Sequence, residues 1–211
     1  MGQFRKPTGL FGRLLARGMA WGHKDSYVNT AKVLDLEQDD KYLEIGFGSG
    51  LFIKNYVSHV SRIAGLDFSE DMVRMAGKIN KNLVRSGKAE FKHGDVSSIP
   101  WQDNEFSVVV VIETFFFWQE PLVALKEIHR VLMPGGRLII EMGYNKDDGL
   151  DHAKHAKKFE LILYSANEMR EFLEESGFGN IVFKYYQGFK IPFKGYAAPK
   201  AMIVKATKKT D

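Results

Sequence analysis

Carboxylates and closely spaced glycines are the residues of this 211-residue sequence that are best placed to do chemistry. A short apolar segment ends in Gly46, Gly48 and Gly50, and Glu44 precedes this turn by two residues. Glycines at this density suit a tight strand-to-helix turn that lets a ligand approach the backbone. The third glycine comes one residue earlier than in the GxGxxG turn that wraps a pyrophosphate. A carboxylate at Glu44 would repel a pyrophosphate, but it suits a cationic ligand.

A second carboxylate follows further along the chain, at the end of another apolar segment. Residues 62–67 are predicted to form a short strand that ends at Asp67, and Ser69 can cap the helix that follows. An acid at the tip of the second strand of such a unit commonly accepts hydrogen bonds from ribose hydroxyls. The glycine turn and Asp67 together indicate a nucleoside ligand without a diphosphate. S-adenosylmethionine is the common cofactor of that description.

The elements that must position these residues alternate between strand and helix, which predicts a parallel sheet with helices on both faces. The apolar β-branched run at residues 108–112 is typical of a central strand covered on both faces. The turn at residues 133–136 is predicted to end a helix and start a strand. The predicted strands lie near residues 41–46, 62–67, 89–94, 106–112, 136–143, 180–186 and 200–207. The predicted helices lie near residues 50–59, 70–85, 120–132 and 166–176.

With these motifs in this order, the sequence resembles the class I S-adenosylmethionine-dependent methyltransferases, in the small single-domain group called type 11. The motifs that carry the resemblance are Glu44–Gly50, Gly65–Ser69 with Met72, His93–Val96, Ile99–Trp101, Asp103–Ser107, Glu113–Trp118 and Arg130–Leu138. Each motif is weak alone, but the series is specific and covers roughly residues 30–183. The resemblance implies an α/β fold: a Rossmann-like, doubly wound, seven-stranded sheet that is mostly parallel, with strand seven antiparallel.

The resemblance also implies roles for individual residues. Glu44 would lie near the methionine amino group of the cofactor, and Asp67 would hold the ribose hydroxyls. Phe68 and Met72 would flank the adenine. The full set of predicted cofactor-binding residues is Glu44, Gly46, Gly48, Gly50, Asp67, Phe68, Met72, Asp95, Val96 and Glu113.

Several of these roles have alternatives. Asp95 would accept a hydrogen bond from the adenine amino group, but it could instead cap Ser97 and Ser98. Val96 would donate from its backbone to a ring nitrogen. Met72 could instead serve only in the ordinary packing of its helix against the rest of the protein. Glu113 emerges at the carboxyl end of strand four, the edge at which open α/β sheets bind ligands.

The aromatic run Phe115–Trp118 follows the central strand, so part of it is expected in the core and part as an apolar wall facing the acceptor. His152 and His155 share a helix face, but the neighbouring lysines would repel a cation. We therefore expect exposed histidines and no metal site. No catalytic residue is assigned, although His23, His152 and His155 are candidates for a general base. Methyl transfer depends chiefly on in-line positioning of the acceptor.

The composition is typical of an ordinary single domain, with 45% hydrophobic residues and a net charge of +4. The chain has no cysteine, no apolar run approaching the ~20 residues of a membrane span, and no secretory signal pattern at its N-terminus. A cytoplasmic location is predicted. Residues 1–24 carry five Lys and Arg and no acid. Such a segment is often only solvated surface, but it also suits an anionic substrate, nucleic acid or peripheral contact with a membrane.

Residues 1–29 are predicted to form a helical lid or substrate segment, and residues 30–211 the S-adenosylmethionine-binding domain. A packed helix and a membrane-surface anchor are the alternatives for the first segment. The predicted function is methyl transfer to a small-molecule acceptor by in-line displacement. The alternatives are a non-catalytic nucleoside-binding scaffold and a protein or nucleic-acid methyltransferase. Nucleic acid is disfavoured because strand four lacks the Asn/Asp-Pro-Pro-Tyr-like segment of many such enzymes.

Overall fold

A seven-stranded sheet forms the centre of the computed structural model, which describes residues 24–187 and 199–210. The strands are β1 (Lys41–Ile45), β2 (Arg62–Asp67), β3 (Ala89–His93), β4 (Phe106–Ile112), β5 (Leu132–Met142), β6 (Phe178–Gln187) and β7 (Lys200–Lys208). Their order in the sheet is β3-β2-β1-β4-β5-β7-β6. Among these strands only β7 runs antiparallel to the rest. The predicted α/β fold, with seven strands and an antiparallel seventh, is confirmed.

Helices cover both faces of the sheet. They are α1 (Lys24–Leu34), α2 (Glu70–Ile79), α3 (Lys81–Arg85), α4 (Pro121–Val131), α5 (Ala153–Phe159) and α6 (Ala166–Glu175). A π-helical turn spans Ile53–Val57 and a 3-10 turn spans Phe115–Phe117. One face packs against α1, the π-helical turn and α2, and the opposite face packs against α4 and α6.

The central strand β4 shows why the sheet needs helices on both sides. Val108 and Val110 belong to the hydrophobic cluster on the α1 and α2 face, whereas Val109 and Val111 belong to the cluster on the α4 and α6 face. Successive side chains of a strand point to opposite faces, so a strand buried on both sides must be apolar at every position. The uninterrupted valine run is therefore a direct consequence of the position of β4 in the sheet.

The predicted helix at 70–85 is interrupted at Asn80, which separates α2 from α3. Asn80 Nδ2 donates to the carbonyl oxygens of Gly50, at 3.0 Å, and Ala76, at 3.1 Å. The side chain of Asn80 thus ties the end of α2 to the glycine turn after β1. Sequence periodicity alone did not indicate this break, because it depends on a contact between residues 30 positions apart.

Helix α5 was not predicted, and α1 overlaps the predicted helical segment 1–29 only at residues 24–29. In α1 the buried residues are Ser26, Thr30 and Leu34. Because two of the three are polar, the apolar pattern that marks an amphipathic helix is absent. The predicted boundary between residues 29 and 30 falls inside α1, and the remainder of the predicted lid segment, residues 1–23, lies outside the described residues. Within the described part of the chain, no helix is both long enough and apolar enough to span a membrane.

Candidate functional site

A cavity of about 300 Å³ lies at the carboxyl edge of the sheet. The segments that follow β1, β2, β3 and β4 line it, together with Tyr27 of α1 and Ala124 of α4. Open α/β sheets bind their ligands at this edge. Nine of the predicted site residues line the cavity: Glu44, Gly46, Gly48, Asp67, Phe68, Met72, Asp95, Val96 and Glu113.

Gly50, the tenth predicted site residue, lies outside this lining. A Cβ on Gly50 would come within 2.8 Å of Ala76 Cβ and of Asn80 Nδ2. The glycine at this position allows the turn to pack closely on α2. Gly50 therefore packs the turn against α2 and is not one of the residues that line the cavity.

The glycine turn presents bare backbone to the cavity. Gly46 N donates to the carbonyl oxygen of Leu66 at 2.7 Å, and a Cβ on Gly46 would collide with the side chain of Thr114. Gly48 has a φ of +53°, yet a Cβ built there meets nothing within 4 Å. Packing therefore does not require a glycine at position 48. The open space beside it is where a ligand can approach the backbone.

Asp67 lies beside this turn and is already oriented by backbone groups. Its Oδ2 accepts from Gly48 N at 2.8 Å, and its Oδ1 accepts from Ser69 N at 2.9 Å. Each carboxylate oxygen keeps a second acceptor position, so two hydroxyl donors of a ligand can still bind. Burial raises the pKa of Asp67 to about 6, although both backbone hydrogen bonds oppose this shift.

Glu44 is a buried acid on β1 that reaches the same cavity. The hydroxyl of Tyr42 donates to Glu44 Oε2 at 2.9 Å. Burial, with a smaller contribution from the charge of Asp67, raises the pKa of Glu44 to about 8. The acid is therefore mostly protonated at neutral pH, and a ligand ammonium group beside it would favour loss of that proton.

The remaining predicted nucleoside contacts lie beside β2 and β3. Phe68 is 43% exposed, which makes its ring available on the cavity side, whereas Met72 is 1% exposed and belongs to the core of the α2 face. Met72 therefore both lines the cavity and packs its helix. Asp95 Oδ1 accepts from the backbone N of Ser97 at 2.9 Å and from its hydroxyl at 2.8 Å. The alternative capping role of Asp95 is observed, and its Oδ2 oxygen is left for a ligand.

Glu113 follows β4 with a φ of +55°, an unusual conformation for a residue with a side chain. Its Oε1 accepts from the hydroxyl of Ser26 at 3.1 Å, and its Oε2 accepts from Gly143 N at 3.3 Å. The backbone N of Glu113 donates to the carbonyl oxygen of Glu141 at 3.0 Å. Contacts from α1 and the end of β5 therefore hold this strained residue in place, and such residues cluster at functional sites.

The aromatic run divides as expected between core and cavity. Phe115 and Phe116 are buried in the core. The Phe115 ring lies 4.8 Å from Trp118 and 5.3 Å from Tyr164, measured between ring centroids. Phe117 and Trp118 line the cavity. The 3-10 turn that follows β4 thus anchors its first two side chains inside the protein and presents the next two to a ligand.

The expectation of exposed histidines is wrong for His152, which is buried. His152 Nε2 lies 2.7 Å from Asp148 Oδ2, so a local carboxylate partner replaces solvent. His155 stacks on Tyr144 with the ring centroids 6.0 Å apart. Neither histidine lines the cavity. Among the described residues no group of three or more His, Asp or Glu side chains could hold a metal ion.

Sequence reasoning did not identify several polar side chains that lie behind the cavity lining. Tyr42 lies two positions before Glu44, so both side chains share one face of β1, a signal that was readable from the strand period. Ser26, Glu141 and Tyr186 gave no such signal. The hydroxyl of Tyr186 donates to Glu141 Oε1, and this contact joins β6 to β5 across 45 residues of sequence.

Comparison with known proteins matches this chain to methyltransferases. Residues 43–140 match a family model described as a methyltransferase domain. The demethylmenaquinone methyltransferase of Staphylococcus saprophyticus is 28% identical over 120 residues, which cover 56% of this chain and 50% of that protein. The chain therefore spans about half the length of this relative.

Two solved structures share the fold. One is the complex between the Haloferax volcanii Trm112 methyltransferase activator and a methyltransferase; the matching chain has a TM-score of 0.78 at 19% identity, with 93% of each chain covered. The other is phosphoethanolamine N-methyltransferase 2 of Haemonchus contortus with phosphomonomethylethanolamine and S-adenosylhomocysteine. Its TM-score is 0.75 at 14% identity, over 92% of this chain and 57% of that chain.

The methyltransferase-domain match over residues 43–140 and the shared fold support the class I S-adenosylmethionine-dependent methyltransferase family that the sequence motifs predicted. The solved structures with bound S-adenosylhomocysteine or S-adenosylmethionine support S-adenosylmethionine as the cofactor.

Proposed function

We propose that this chain transfers the methyl group of S-adenosylmethionine to a small-molecule acceptor by in-line displacement. The observation that carries the proposal is the meeting of Gly48, Asp67 and Glu44 around one cavity. They supply open backbone, a carboxylate with free acceptor positions and a buried acid. When bound, S-adenosylmethionine supplies a methyl group that its sulfonium activates for transfer.

The strand order supports a particular orientation of the cofactor. Asp95 follows β3, Asp67 is the last residue of β2 and Gly48 follows β1, and these strands are neighbours in that order. A nucleoside placed with its base at Asp95 and Val96 would have its ribose at Asp67. Its amino-acid portion would then lie at the glycine turn and Glu44. In this arrangement Phe68 and Met72 flank the base.

The residues beyond the glycine turn would bind the acceptor. Phe117 and Trp118 form an apolar wall on the β4 side of the cavity. An apolar wall excludes water and strengthens electrostatic attraction inside the site. A cavity of about 300 Å³ lies at the lower end of the range for small-molecule sites. These features favour a small acceptor over a docked macromolecule.

The arrangement of a lid at residues 1–29 over a domain at residues 30–211 stays a proposal. Support comes from α1, which brings Tyr27 to the cavity and Ser26 to Glu113. The Haloferax volcanii structure contains a protein activator, so a protein partner is a second arrangement to be tested. A cytoplasmic location stays a prediction.

Turnover of labelled cofactor tests the proposal. The chain is incubated with S-adenosylmethionine labelled on the methyl group, in separate reactions with a metabolite extract, total protein and total RNA. We expect mass spectrometry to find the label in a small molecule. Label in protein or RNA would instead identify a macromolecular methyltransferase. No label in any fraction, together with normal S-adenosylhomocysteine binding, would indicate the non-catalytic scaffold.

A further inference from the structure

The described lining of the cavity is acidic, although the whole chain is basic. The lining contains five acidic side chains and no Lys, Arg or His from the described residues: Glu44, Asp67, Asp95, Glu113 and Glu120. The chain as a whole has 30 Lys and Arg against 26 Asp and Glu. A cleft lined by one sign of charge concentrates ligands of the opposite sign. The cavity therefore selects for cationic ligands.

The proposed cofactor leaves part of this charge uncompensated. Its sulfonium and ammonium groups exceed its single carboxylate by one positive charge. The proposed orientation assigns Asp67 to the ribose and Glu44 to the amino group. Glu113 was predicted to bind the cofactor as well, but this orientation leaves no cofactor group for it. Glu113 follows β4, two strands from β2, and neighbouring strands lie about 4.8 Å apart. Glu113 is thus displaced from Asp67 toward the acceptor side.

Glu141 lies behind Glu113 and is fully buried. Tyr186 donates to its Oε1 oxygen, whereas Oε2 has no hydrogen-bond partner among the described residues. Burial and the charge of Glu113 raise the pKa of Glu141 well above its ordinary value. Two adjacent carboxyl groups in a dry site do not both ionise readily, so one of them stays protonated. Burial favours the protonated form of Glu141, and Glu113 is the member of the pair that lines the cavity.

Cationic side chains do not neutralise this pair from within the described chain. No salt bridge there involves Glu113, Glu141 or Glu44. Among the described residues, the titratable groups whose pKa the charge of Glu113 affects are Tyr27 of α1, Glu141 of β5 and Tyr186 of β6. All of these are acids or phenols. Phe117 and Trp118 complete the surroundings with aromatic rings, which also attract cations.

We propose that the methyl acceptor is an amine that is protonated in water, and that Glu113 binds its ammonium group against Phe117 and Trp118. This inference rests on the proposed function. The ammonium first gives one proton to the Glu113 carboxylate, which frees the nitrogen lone pair. The lone pair then forms the bond to the methyl carbon while the bond from that carbon to sulfur breaks. The electrons of the broken bond stay on sulfur, and the product is the methylated ammonium.

Binding of charge-matched probes to the full chain tests this proposal independently of turnover. With S-adenosylhomocysteine saturating, calorimetry at pH 7 compares 2-phenylethylamine, phenylacetate and 2-phenylethanol, and then the amine and carboxylate of several further carbon skeletons. We expect the amines to bind about tenfold or more tightly than the matched carboxylates, as a hydrogen-bonded charge pair would produce. Equal affinities, absence of binding for every probe, or preference for carboxylates would overturn the proposal.

Variants then locate the charge. Glu113→Gln is expected to reduce amine affinity about tenfold or more, while S-adenosylhomocysteine affinity changes by less than about threefold. Glu171→Gln on α6 removes the same charge from an exposed surface and is expected to change neither affinity. A loss of cofactor affinity as large as the loss of amine affinity would assign Glu113 to the cofactor instead. If Glu113→Gln does not fold, the comparison of amine and carboxylate affinities in the unaltered protein is the test of the proposal.

The same measurements separate this inference from the proposed function. Failure of S-adenosylhomocysteine to bind would overturn both. Normal cofactor binding without preference for amines would overturn only the assignment of the acceptor.

Discussion

Replacing Gly48 with valine is expected to abolish S-adenosylhomocysteine binding while the protein still folds. The position has open space on its side-chain side, and that space belongs to the cavity. A branched side chain would occupy the volume that the amino-acid portion of the cofactor needs. We expect affinity to fall about 100-fold or more, equivalent to roughly 3 kcal/mol.

The control for this variant is Gly87→Val. Gly87 also has a positive φ, +73°, and a Cβ there also meets nothing within 4 Å. It lies between α3 and β3, outside the cavity lining. Both variants should lose roughly 1–2 kcal/mol of stability because a side chain is forced into the left-handed region, but only Gly48→Val should lose binding. Normal cofactor affinity in folded Gly48→Val would show that the turn does not face the cofactor.

Replacing Asp67 with alanine is expected to weaken S-adenosylhomocysteine binding by roughly 1–3 kcal/mol, the usual value for hydrogen bonds to a charged group. The loss removes both acceptors for the ribose hydroxyls. It also frees Gly48 N, which Asp67 now orients. Asp151→Ala is the matched control, because Asp151 accepts from the backbone N two residues later, as Asp67 does, but lies outside the cavity lining.

The pH dependence of binding gives a separate check on Asp67. Its pKa in the free protein is about 6, and only the ionised form offers acceptors on both oxygens. Affinity should therefore fall as the pH decreases through about 6. The acid Glu44, with a pKa of about 8, should add a second fall as the pH decreases through 8, because its ionised form pairs with the ligand ammonium. In Asp67→Asn the lower inflection should disappear and the upper one should persist. Persistence of both inflections would contradict the ribose role.

The sequence predicted those parts of the fold that depend on local pattern. The valine run of β4 and the seven strands were readable because strand period and burial appear directly in residue order. The break at Asn80 was not readable, because it follows from a hydrogen bond to Gly50. The extent of α1 to Leu34 was not predicted, because two of its three buried residues are polar. A sequence pattern does not predict an element that is held in place by tertiary contacts and lacks an apolar face of its own.

The candidate site was likewise predicted only in part from the sequence. The motifs located Gly48 and Asp67, since each lies at or just after the end of a strand that terminates at the same edge of the sheet. They could not separate Gly48, which faces the cavity, from Gly50, which packs on α2. The contact between Glu141 and Tyr186 could not be predicted, because nothing in a linear sequence brings β5 and β6 together behind Glu113.

Calorimetry of two nucleoside ligands with the full chain at pH 7 tests the central claim most directly. The GxGxG turn and the carboxylates Asp67 and Asp95 predict a site for a nucleoside without a diphosphate. We therefore expect S-adenosylhomocysteine to bind with one site per chain and NAD to give no binding heat. Tight binding of NAD with no binding of S-adenosylhomocysteine would contradict the assignment of this cavity.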